Sequence, residues 1–320
     1  MRNKSDSSDI AVSVRNMTKK FDGFTAVDNI SFDVRRGEIF GFLGPNGAGK
    51  STTIRILCGI IDITSGEGLI DGHSILKDQD KIKRITGYMS QKFSLYEDLT
   101  PYENLEFYGG VYGLDSRTRR SRIEWALNMS DLAERSDDLT SDLPVGYKQR
   151  LALGASLLHE PSILFLDEPT AGVDPSSRRS FWDLIYRQAQ SGVTVFVTTH
   201  YMDEAEHCDR IAFIDSGKLI RLDSPGTLKR ADLREDIIEI MADDWMKAFN
   251  ALREKKESFG EVSLFGTRIH LRFTGDDFGD IESYLIGNNI HVESIRPVPP
   301  SLEDVFVALL NPYKNTEASS

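Results

Sequence analysis

A glycine-rich loop between an apolar run and an amphipathic segment constrains the fold of this chain more than any other feature. Residues 44–51 read Gly-Pro-Asn-Gly-Ala-Gly-Lys-Ser; they follow the apolar run 39–43 and open the helix-like segment 50–58. The pattern G-x-x-x-x-G-K-[ST] between a strand and a helix predicts a phosphate-binding loop. A glycine-rich turn without a ligand is the alternative, and it leaves the lysine and the helix unexplained.

The chemistry of this loop assigns a role to each residue type. Glycines let backbone N–H groups approach phosphate oxygens, and the helix N-terminus directs its positive dipole end to the same place. We expect Lys50 to reach the terminal phosphates of a nucleotide and Ser51 to ligate Mg²⁺. The candidate binding residues are Gly44, Pro45, Asn46, Gly47, Ala48, Gly49, Lys50, Ser51 and Thr52.

A second candidate site follows the apolar run at residues 163–166. This run leads directly into Asp167 and Glu168, which places two carboxylates at the end of a predicted buried strand. Ligands of α/β proteins bind at the carboxyl edge of the sheet, so both acids are expected near the glycine-rich loop. Asp167 suits the role of holding Mg²⁺, and Glu168 can polarise an attacking water.

The wider pattern predicts two folded parts. Over the first 220 residues, apolar runs alternate with amphipathic segments, which predicts a largely parallel α/β sheet closed by a hairpin at 210–221. Helical periodicity alone dominates residues 101–159, which predicts an inserted helical subdomain. After residue 226 the order strand, helix, two strands, helix, strand predicts a small ferredoxin-like α+β domain (βαββαβ), followed by a helix at 301–310.

The predicted boundaries follow from these patterns. We expect a disordered tail at 1–9, an α/β domain at 10–228 with its helical subdomain at about 92–160, an accessory domain at 229–312 and a tail at 313–320.

Composition excludes several classes of protein. No stretch of the sequence approaches 18 consecutive apolar residues, and the polar N-terminus lacks the apolar core of a signal peptide. Only two cysteines are present, Cys58 and Cys208, which argues against a disulfide framework and fits a reducing compartment. The net charge of −12 disfavours nucleic acid as a partner.

With these motifs in this order, the sequence from residue 10 to about 228 resembles an ABC ATPase, a P-loop NTPase with an inserted helical subdomain. The resemblance implies that Gln91 senses Mg²⁺ and couples to a membrane partner, and that His200 contacts the γ-phosphate. It implies that Asp174 belongs to the loop between the two subunits of a dimer. Phe21 occupies the place of an aromatic that stacks on adenine, with core packing as the alternative role and Phe24 as the other candidate.

One segment departs from the family pattern. Members of the family usually carry Leu-Ser-Gly-Gly-Gln as a signature that binds the nucleotide of the partner subunit. Here Leu143 is followed by Pro144, Val145, Gly146 and Tyr147, and a helix is expected at 151–158. Pro144 has no hydroxyl for the γ-phosphate and Val145 lacks the freedom of glycine, whereas the Gly146 N–H and the helix dipole remain.

The C-terminal part resembles that of type-2 exporter ATPases, on the strength of its βαββαβ pattern and the stretch Pro-Ser-Leu-Glu-Asp-Val-Phe at 300–306. Together the resemblances imply a subunit that hydrolyses ATP with Mg²⁺, pairs with a second ATPase subunit and drives efflux through a separate membrane permease. They place the chain at the cytoplasmic face of the inner membrane. The alternatives are a soluble ABC ATPase that is not coupled to transport and a non-catalytic nucleotide-binding regulator; the second predicts loss of Glu168 or His200, and both are present.

Overall fold

The computed structural model describes residues 9–91, 94–231, 236–273 and 278–317. The predicted tail at 1–9 lies, except for Asp9, outside the described residues, as do residues 318–320. The chain divides between Ser224 and Pro225 into two compact units, which we call unit 1 and unit 2. Among the described residues, no helix has both the length and the apolar character needed to cross a bilayer.

Unit 1 contains most of the regular structure of the chain. Its elements are β1 (Ile10–Phe21), β2 (Phe24–Arg35), β3 (Ile39–Leu43), α1 (Lys50–Leu57), β4 (Ser65–Ile70), β5 (His73–Ser74), α2 (Gln79–Ile85), β6 (Thr86–Met89), α3 (Pro101–Val111), α4 (Ser116–Met129), α5 (Val145–Ser156), β7 (Ile163–Asp167), α6 (Pro175–Gln190), β8 (Thr194–Thr199), α7 (Met202–Ala205), β9 (Arg210–Asp215) and β10 (Lys218–Asp223).

The central sheet of unit 1 has the strand order β10-β9-β3-β8-β7-β6. Every pair in it is parallel except the hairpin of β9 and β10. All residues of β3, β7 and β8 are buried, which explains why these strands appear in the sequence as short apolar runs. Because β3, β7 and β8 are parallel neighbours, the residues that follow their carboxyl ends lie at one edge of the sheet.

A second sheet of unit 1 was missed by the sequence analysis. It has the order β2-β1-β4-β5 and is antiparallel. The two longest strands, β1 and β2, have 12 residues each, but their pairing shifts register at four places. Each bulge breaks the alternation of inward and outward side chains, so the period-two pattern that identifies a strand does not extend along them.

The helical subdomain consists of α3, α4 and α5. A capping box between Thr100 and Glu103 begins α3, and Asp115 caps α4 by accepting two backbone N–H groups. Helix α5 begins at Val145 with Pro144 as its N-cap and ends at Ser156, so the predicted helix at 151–158 started six residues too late. Proline at the helix entrance has no N–H to leave unsatisfied, which explains the earlier start.

Unit 2 contains α8 (Pro225–Ala231), β11 (Asp236–Ala242), α9 (Trp245–Glu254), α10 (Lys256–Phe259), β12 (Val262–Phe265), β13 (Arg268–Phe273), α11 (Gly279–Gly287), β14 (Val292–Val298) and α12 (Leu302–Glu317). Its antiparallel sheet has the order β12-β13-β11-β14, which is the ferredoxin-like arrangement expected from the βαββαβ pattern. Helix α12 extends to Glu317, seven residues beyond the predicted helix end at 310, and includes residues 313–317 of the segment predicted as a tail.

One face of the unit 2 sheet carries a group of charges in which two acids and a histidine are buried and two arginines are half exposed. Glu239 on β11 is 4% exposed and accepts hydrogen bonds from Arg268 (3.0 Å) and Arg296 (2.7 Å). His270 on β13 lies 3.0 Å from Asp304, which begins α12 together with Ser301 in a reciprocal cap. We call these five charged side chains the unit 2 cluster; it connects α12 to the sheet.

Candidate functional site

The glycine-rich loop follows β3 and leads into α1 with close backbone packing. Gly49 has φ 101°, and a Cβ atom there would lie 2.3 Å from the carbonyl oxygen of Ala26. A Cβ on Gly44 would lie 2.1 Å from the carbonyl oxygen of Ile214. No side chain fits at either position, so the sequence of the loop is fixed by the close approach of its backbone to neighbouring strands.

Lys50 begins α1 and is buried, with 4% of its surface exposed. Its ammonium donates to the carbonyl oxygens of Gly44 (2.7 Å) and Pro45 (3.1 Å) and lies 3.2 Å from Oε1 of Glu168. The loop therefore holds the lysine head under its own backbone, at the N-terminus of α1. The first turn of a helix leaves its backbone N–H groups without partners inside the helix, so donors and a fixed cation converge there.

Asp167 ends β7 and is 1% exposed. Its Oδ1 accepts hydrogen bonds from Ser51 (3.0 Å) and Thr198 (2.7 Å), whereas its buried Oδ2 has no hydrogen-bond partner among the described residues. Burial raises the pKa of Asp167 above its ordinary value, against the lowering effect of the two hydroxyls. The sequence analysis did not identify Thr198, because a threonine inside an apolar strand gives no signal of its own.

The pair Asp167 and Ser51 has the chemistry of a Mg²⁺ site. A carboxylate oxygen that is buried without a partner is costly unless a cation or a donor approaches it, and oxygen ligands are those that Mg²⁺ prefers. Among the described residues there is no group of three or more His, Cys, Asp or Glu side chains that could hold a metal by themselves. A cation at Asp167 would therefore need further oxygen ligands from a phosphate or water, as is usual for Mg²⁺.

Glu168 turns back into the same cleft as Asp167. Consecutive residues of a strand point to opposite faces, but Glu168 has φ 49° and its N–H donates to both the carbonyl and the hydroxyl of Thr198. Its Oε2 accepts from Nε2 of Gln91 (3.0 Å) and lies 3.2 Å from Nδ1 of His200, at an angle that does not make a hydrogen bond. Lys50, Gln91 and His200 thus meet around one carboxylate.

Lys50, Gln91 and Glu168 line a cleft of about 360 Å³, and His200 borders it through its approach to Glu168. The glycine-rich loop forms one wall, and Gln91 and Glu168 lie across from it. Phe24, which is 59% exposed, lines the cleft, whereas Phe21 does not; Phe21 is 48% exposed and lies under the ammonium of Lys19 at 4.9 Å. Of the two aromatic candidates, the position of Phe24 is the better suited to contact a base bound beside the loop.

The signature segment does not join this cleft. Pro144 caps α5 without a side-chain hydrogen bond, Val145 is 46% exposed, and Tyr147 lies between the guanidinium groups of Arg135 and Arg150. None of the residues from Pro144 to Tyr147 is among those lining the cleft. The segment therefore presents an exposed helix N-terminus rather than a second wall of the same site.

Asp174 also has a local role. Its carboxylate caps α6 by accepting from the backbone N–H groups of Ser176 and Ser177, both at 3.0 Å. A hydrogen bond from the Ser177 side chain, together with those from the two backbone N–H groups, lowers the pKa of Asp174 below its ordinary value. A Cβ atom on Gly146 would lie 3.1 Å from Ser177, so the starts of α5 and α6 are close neighbours.

Comparison with known proteins agrees with this geometry. The family model described as "ABC transporter" matches residues 27–171, and a model of an AAA domain matches residues 141–202. The "Linearmycin resistance ATP-binding protein LnrL" of Bacillus subtilis is 33% identical over 299 residues, which are 92% of this chain and 96% of that protein. The chain belongs to the ABC transporter ATP-binding family. Its unit 1 is the ATP-binding cassette of that family, and the prediction of the fold class is confirmed.

Two further similarities define how far the likeness extends. The "Probable multidrug ABC transporter ATP-binding protein YbhF" of Escherichia coli is 50% identical over 225 residues, which are 70% of this chain but 39% of that protein. A solved structure described as the dimeric, post-hydrolysis state of the ATP-binding cassette MJ0796 with ADP and Pi has a TM-score of 0.61 and 28% identity, and covers 67% of this chain and 98% of that one. The cassette is thus shared with all three proteins, and unit 2 is shared with LnrL.

Proposed function

We propose that this chain is the ATP-hydrolysing subunit of an ABC exporter, driving efflux through a separate membrane permease. The observation that carries the proposal is the meeting of Lys50, Gln91, Asp167, Glu168 and His200 in one cleft beside the glycine-rich loop. The direction of transport is supported by the relatives, whose names refer to multidrug transport and linearmycin resistance.

ATP hydrolysis at this cleft would use the residues as follows. The loop N–H groups and Lys50 bind the phosphates, and the phosphate charge takes the place that Glu168 has beside the ammonium. Glu168, released from Lys50, accepts a hydrogen bond from the attacking water and polarises it. Gln91 and His200, which border the same carboxylate, orient that water and the γ-phosphate.

Asp167 and Ser51 are the residues that would hold Mg²⁺ in this proposal. The unpartnered Oδ2 of Asp167 and the adjacent Ser51 hydroxyl supply oxygen ligands at the phosphate end of the loop. When bound, the ion neutralises charge on the β- and γ-phosphates. Because burial raises the pKa of Asp167, protonation competes with the cation at a higher pH than for an ordinary aspartate.

We further propose that the working form is a dimer of two ATPase subunits. The residues Pro144 to Tyr147 lie on an exposed helix N-terminus that does not line the cleft of their own chain. An exposed helix N-terminus is suited to binding phosphate, so the segment would close the cleft of a second subunit. The Gly146 N–H and the N-terminus of α5 remain available for this role, although Pro144 offers no hydroxyl. The dimeric cassette structure that resembles unit 1 supports this arrangement.

The contact with the permease is proposed at an apolar groove beside Gln91. This groove of about 230 Å³ is lined by residues before and after Gln91 and by α3 and α5, among them Tyr88, Leu95 and Tyr108. Next to it, the rings of Tyr96 and Phe107 touch at 4.8 Å and are 44% and 43% exposed. Exposed aromatic pairs beside a groove are typical of protein interfaces. Such an interface would place the subunit at the cytoplasmic face of the membrane.

Co-purification and ATPase measurement together test the proposal. The tagged chain is expressed in its native host, extracted with the membrane in detergent and purified with its partner chains. We expect a multi-span membrane protein to co-purify and ATP to be hydrolysed by the complex. Phe107→Asp should abolish co-purification and leave ATP binding unchanged, whereas Lys50→Ala should retain the partner and lose hydrolysis. Recovery of an active ATPase with no membrane partner would contradict the transport assignment.

A further inference from the structure

A buried carboxylate near the cleft has no role in the mechanism described above. Glu204, in the short helix α7, is 1% exposed. Its Oε2 accepts from the hydroxyl of Thr199 at 2.6 Å, and its Oε1 accepts from the hydroxyl of Thr170. The guanidinium of Arg178 lies 3.4 Å from Oε1, at an ion-pair distance. Three partners on three separate elements thus meet at one side chain.

Two of the partners belong to segments that carry Glu168 and His200, and the third is on the helix that Asp174 caps. Thr170 is on the turn two residues after Glu168, and Thr199 ends β8 directly before His200. Arg178 is in the first turns of α6, whose N-cap is Asp174. Glu204 therefore connects three segments: the turn after Glu168, the end of β8 before His200 and helix α6, which follows Asp174.

A second contact supports the same region from the outside. Tyr201 donates its backbone N–H to the Thr199 hydroxyl at 3.0 Å, and its ring lies 4.1 Å from the ring of His200. The guanidinium carbon of Arg178 lies over the Tyr201 ring, 4.3 Å from its centroid. The imidazole is thus backed by an aromatic ring that is itself held by the cation next to Glu204.

A contribution to fold stability does not by itself explain why Glu204 is buried with these partners. Burying an ionised carboxylate costs several kcal/mol, and apolar side chains of similar volume often stabilise a core at least as well. The hydrogen bonds of Glu204 instead fix the relative positions of segments that must stay aligned within fractions of an ångström for hydrolysis.

We propose, resting on the ATPase function proposed above, that Glu204 is a positioning residue for ATP hydrolysis. It fixes the position of the turn that carries Glu168 relative to the strand end that carries His200. Without Glu204 this relative position changes, and the carboxylate of Glu168 moves away from the water that it must polarise. The glycine-rich loop, which binds the nucleotide, is not affected.

Two buried threonines of β8 provide a matched test. Thr199 and Thr194 lie at the end and the start of the same strand and are 1% and 2% exposed. The Thr199 hydroxyl donates to Glu204 and accepts from the Tyr201 N–H, and the Thr194 hydroxyl accepts from the Gly37 N–H. We expect Thr199→Val and Glu204→Gln to lower kcat for ATP about tenfold to a hundredfold, with little change in KM. Thr199→Ser keeps the hydroxyl and should restore kcat, and Thr194→Val should leave it unchanged.

The outcomes separate positioning from stability and from the proposed function. Equal losses of kcat in Thr199→Val and Thr194→Val, or wild-type kcat in a folded Glu204→Gln protein, would overturn this inference. Should Glu204→Gln fail to fold, the Thr199→Val and Thr199→Ser pair still decides, because valine and threonine have the same shape. A wild-type complex that hydrolyses ATP no faster than Lys50→Ala would instead overturn the proposed ATPase function, and this inference with it.

Discussion

Two groups of charged side chains in this chain, each built around buried carboxylates, differ in whether their polar atoms all have partners. In unit 2, Glu239 is neutralised by Arg268 and Arg296, and Asp304 by His270 and its own helix cap, so every carboxylate is satisfied internally. In the cleft of unit 1, Asp167 keeps a buried oxygen without a hydrogen-bond partner, and His200 Nδ1 approaches a carboxylate without bonding to it. Asp167, Glu239, His270 and Asp304 are all buried, whereas Arg268 and Arg296 are 50% and 59% exposed. Among the described residues of the two groups, only those of the cleft leave buried polar atoms unused.

The difference teaches where a buried charge belongs to a binding site. Satisfied ion pairs of the kind found in unit 2 stabilise or specify a fold, whereas unsatisfied buried polar atoms are costly and persist where a ligand will satisfy them. We therefore expect substitutions in the cleft to change chemistry more than stability, and substitutions in the unit 2 cluster to do the opposite.

The largest effects are expected inside the cleft. Lys50→Ala should abolish nucleotide binding, because it removes the only buried cation of the loop. Glu168→Gln should lower ATP hydrolysis by roughly 10²- to 10⁴-fold and bind ATP at least as tightly, since Lys50 then has no carboxylate competing with the phosphate. Binding is measured with a fluorescent ATP analogue and turnover by phosphate release. Lys81→Ala, which breaks an exposed pair with Asp78, is the control. Equal loss of binding in both cleft variants would contradict the assignment.

A smaller effect is expected from completing the signature. The signature segment does not line the cleft of its own chain, so Pro144→Ser combined with Val145→Gly should act on the nucleotide of the second subunit. A hydrogen bond to a charged phosphate contributes about 1.5–3 kcal/mol, which corresponds to roughly tenfold to a hundredfold in rate if it forms fully in the transition state. ATPase is measured on the assembled complex. Unchanged turnover with intact dimers would mean that Gly146 and the helix N-terminus close the site without a hydroxyl.

Substitution in the unit 2 cluster should lower stability instead. Asp304 raises the pKa of His270 by a hydrogen bond, against the lowering effect of burial, so the pair contributes stability that is fully present below the unfolded histidine pKa of about 6.5 and is lost as pH rises through the raised value. His270→Asn should remove about 1–3 kcal/mol at pH 6 and flatten the pH dependence, as measured by denaturant unfolding of the full chain. ATP affinity should not change; a loss of affinity would show that the cluster serves the cleft.

The smallest effect is expected from removing unit 2 altogether. All residues that line the cleft belong to unit 1, so a chain ending at Ser224 should bind ATP within about twofold of the full chain, a difference of only about 0.4 kcal/mol. Isothermal titration of both proteins checks this. If a well-folded truncated chain bound ATP much more weakly, unit 2 would have to contribute to the site, and the separation of the two charge groups would be incorrect.

Much of the cleft could be predicted because its residues lie at the ends of buried parallel strands. The apolar runs of β3, β7 and β8 identify the strands, and the polar residue after each run must then lie at one edge of the sheet. Glu168 was found in this way, whereas Lys50 came from the loop motif and His200 from the family resemblance. Short-range pattern and strand order are enough here, because a fully buried parallel sheet leaves few arrangements open.

Other features depend on contacts that no local pattern records. Bulges interrupt the alternation along β1 and β2, and the bonds that Asp167 and Glu204 accept from Thr198 and Thr170 join residues that are far apart in sequence. The start of α5 was predicted six residues too late because residues 145–150 were treated as the signature and its continuation, and the helix was begun only after them. These features are determined by tertiary contacts, and the pattern of a single sequence does not show which distant residues come into contact.

The backbone at Glu168 has an evolutionary consequence. A glutamate with φ 49° stores conformational strain of about 1–3 kcal/mol, and glycine would adopt the same turn without that strain. Replacing Glu168 by glycine is therefore expected to relieve the strain of this turn while ending the turnover of ATP. At position 168, selection for an unstrained backbone favours glycine, whereas selection for ATP hydrolysis favours glutamate. A glutamate that persists at this position in a population therefore indicates that hydrolysis is still required of the protein.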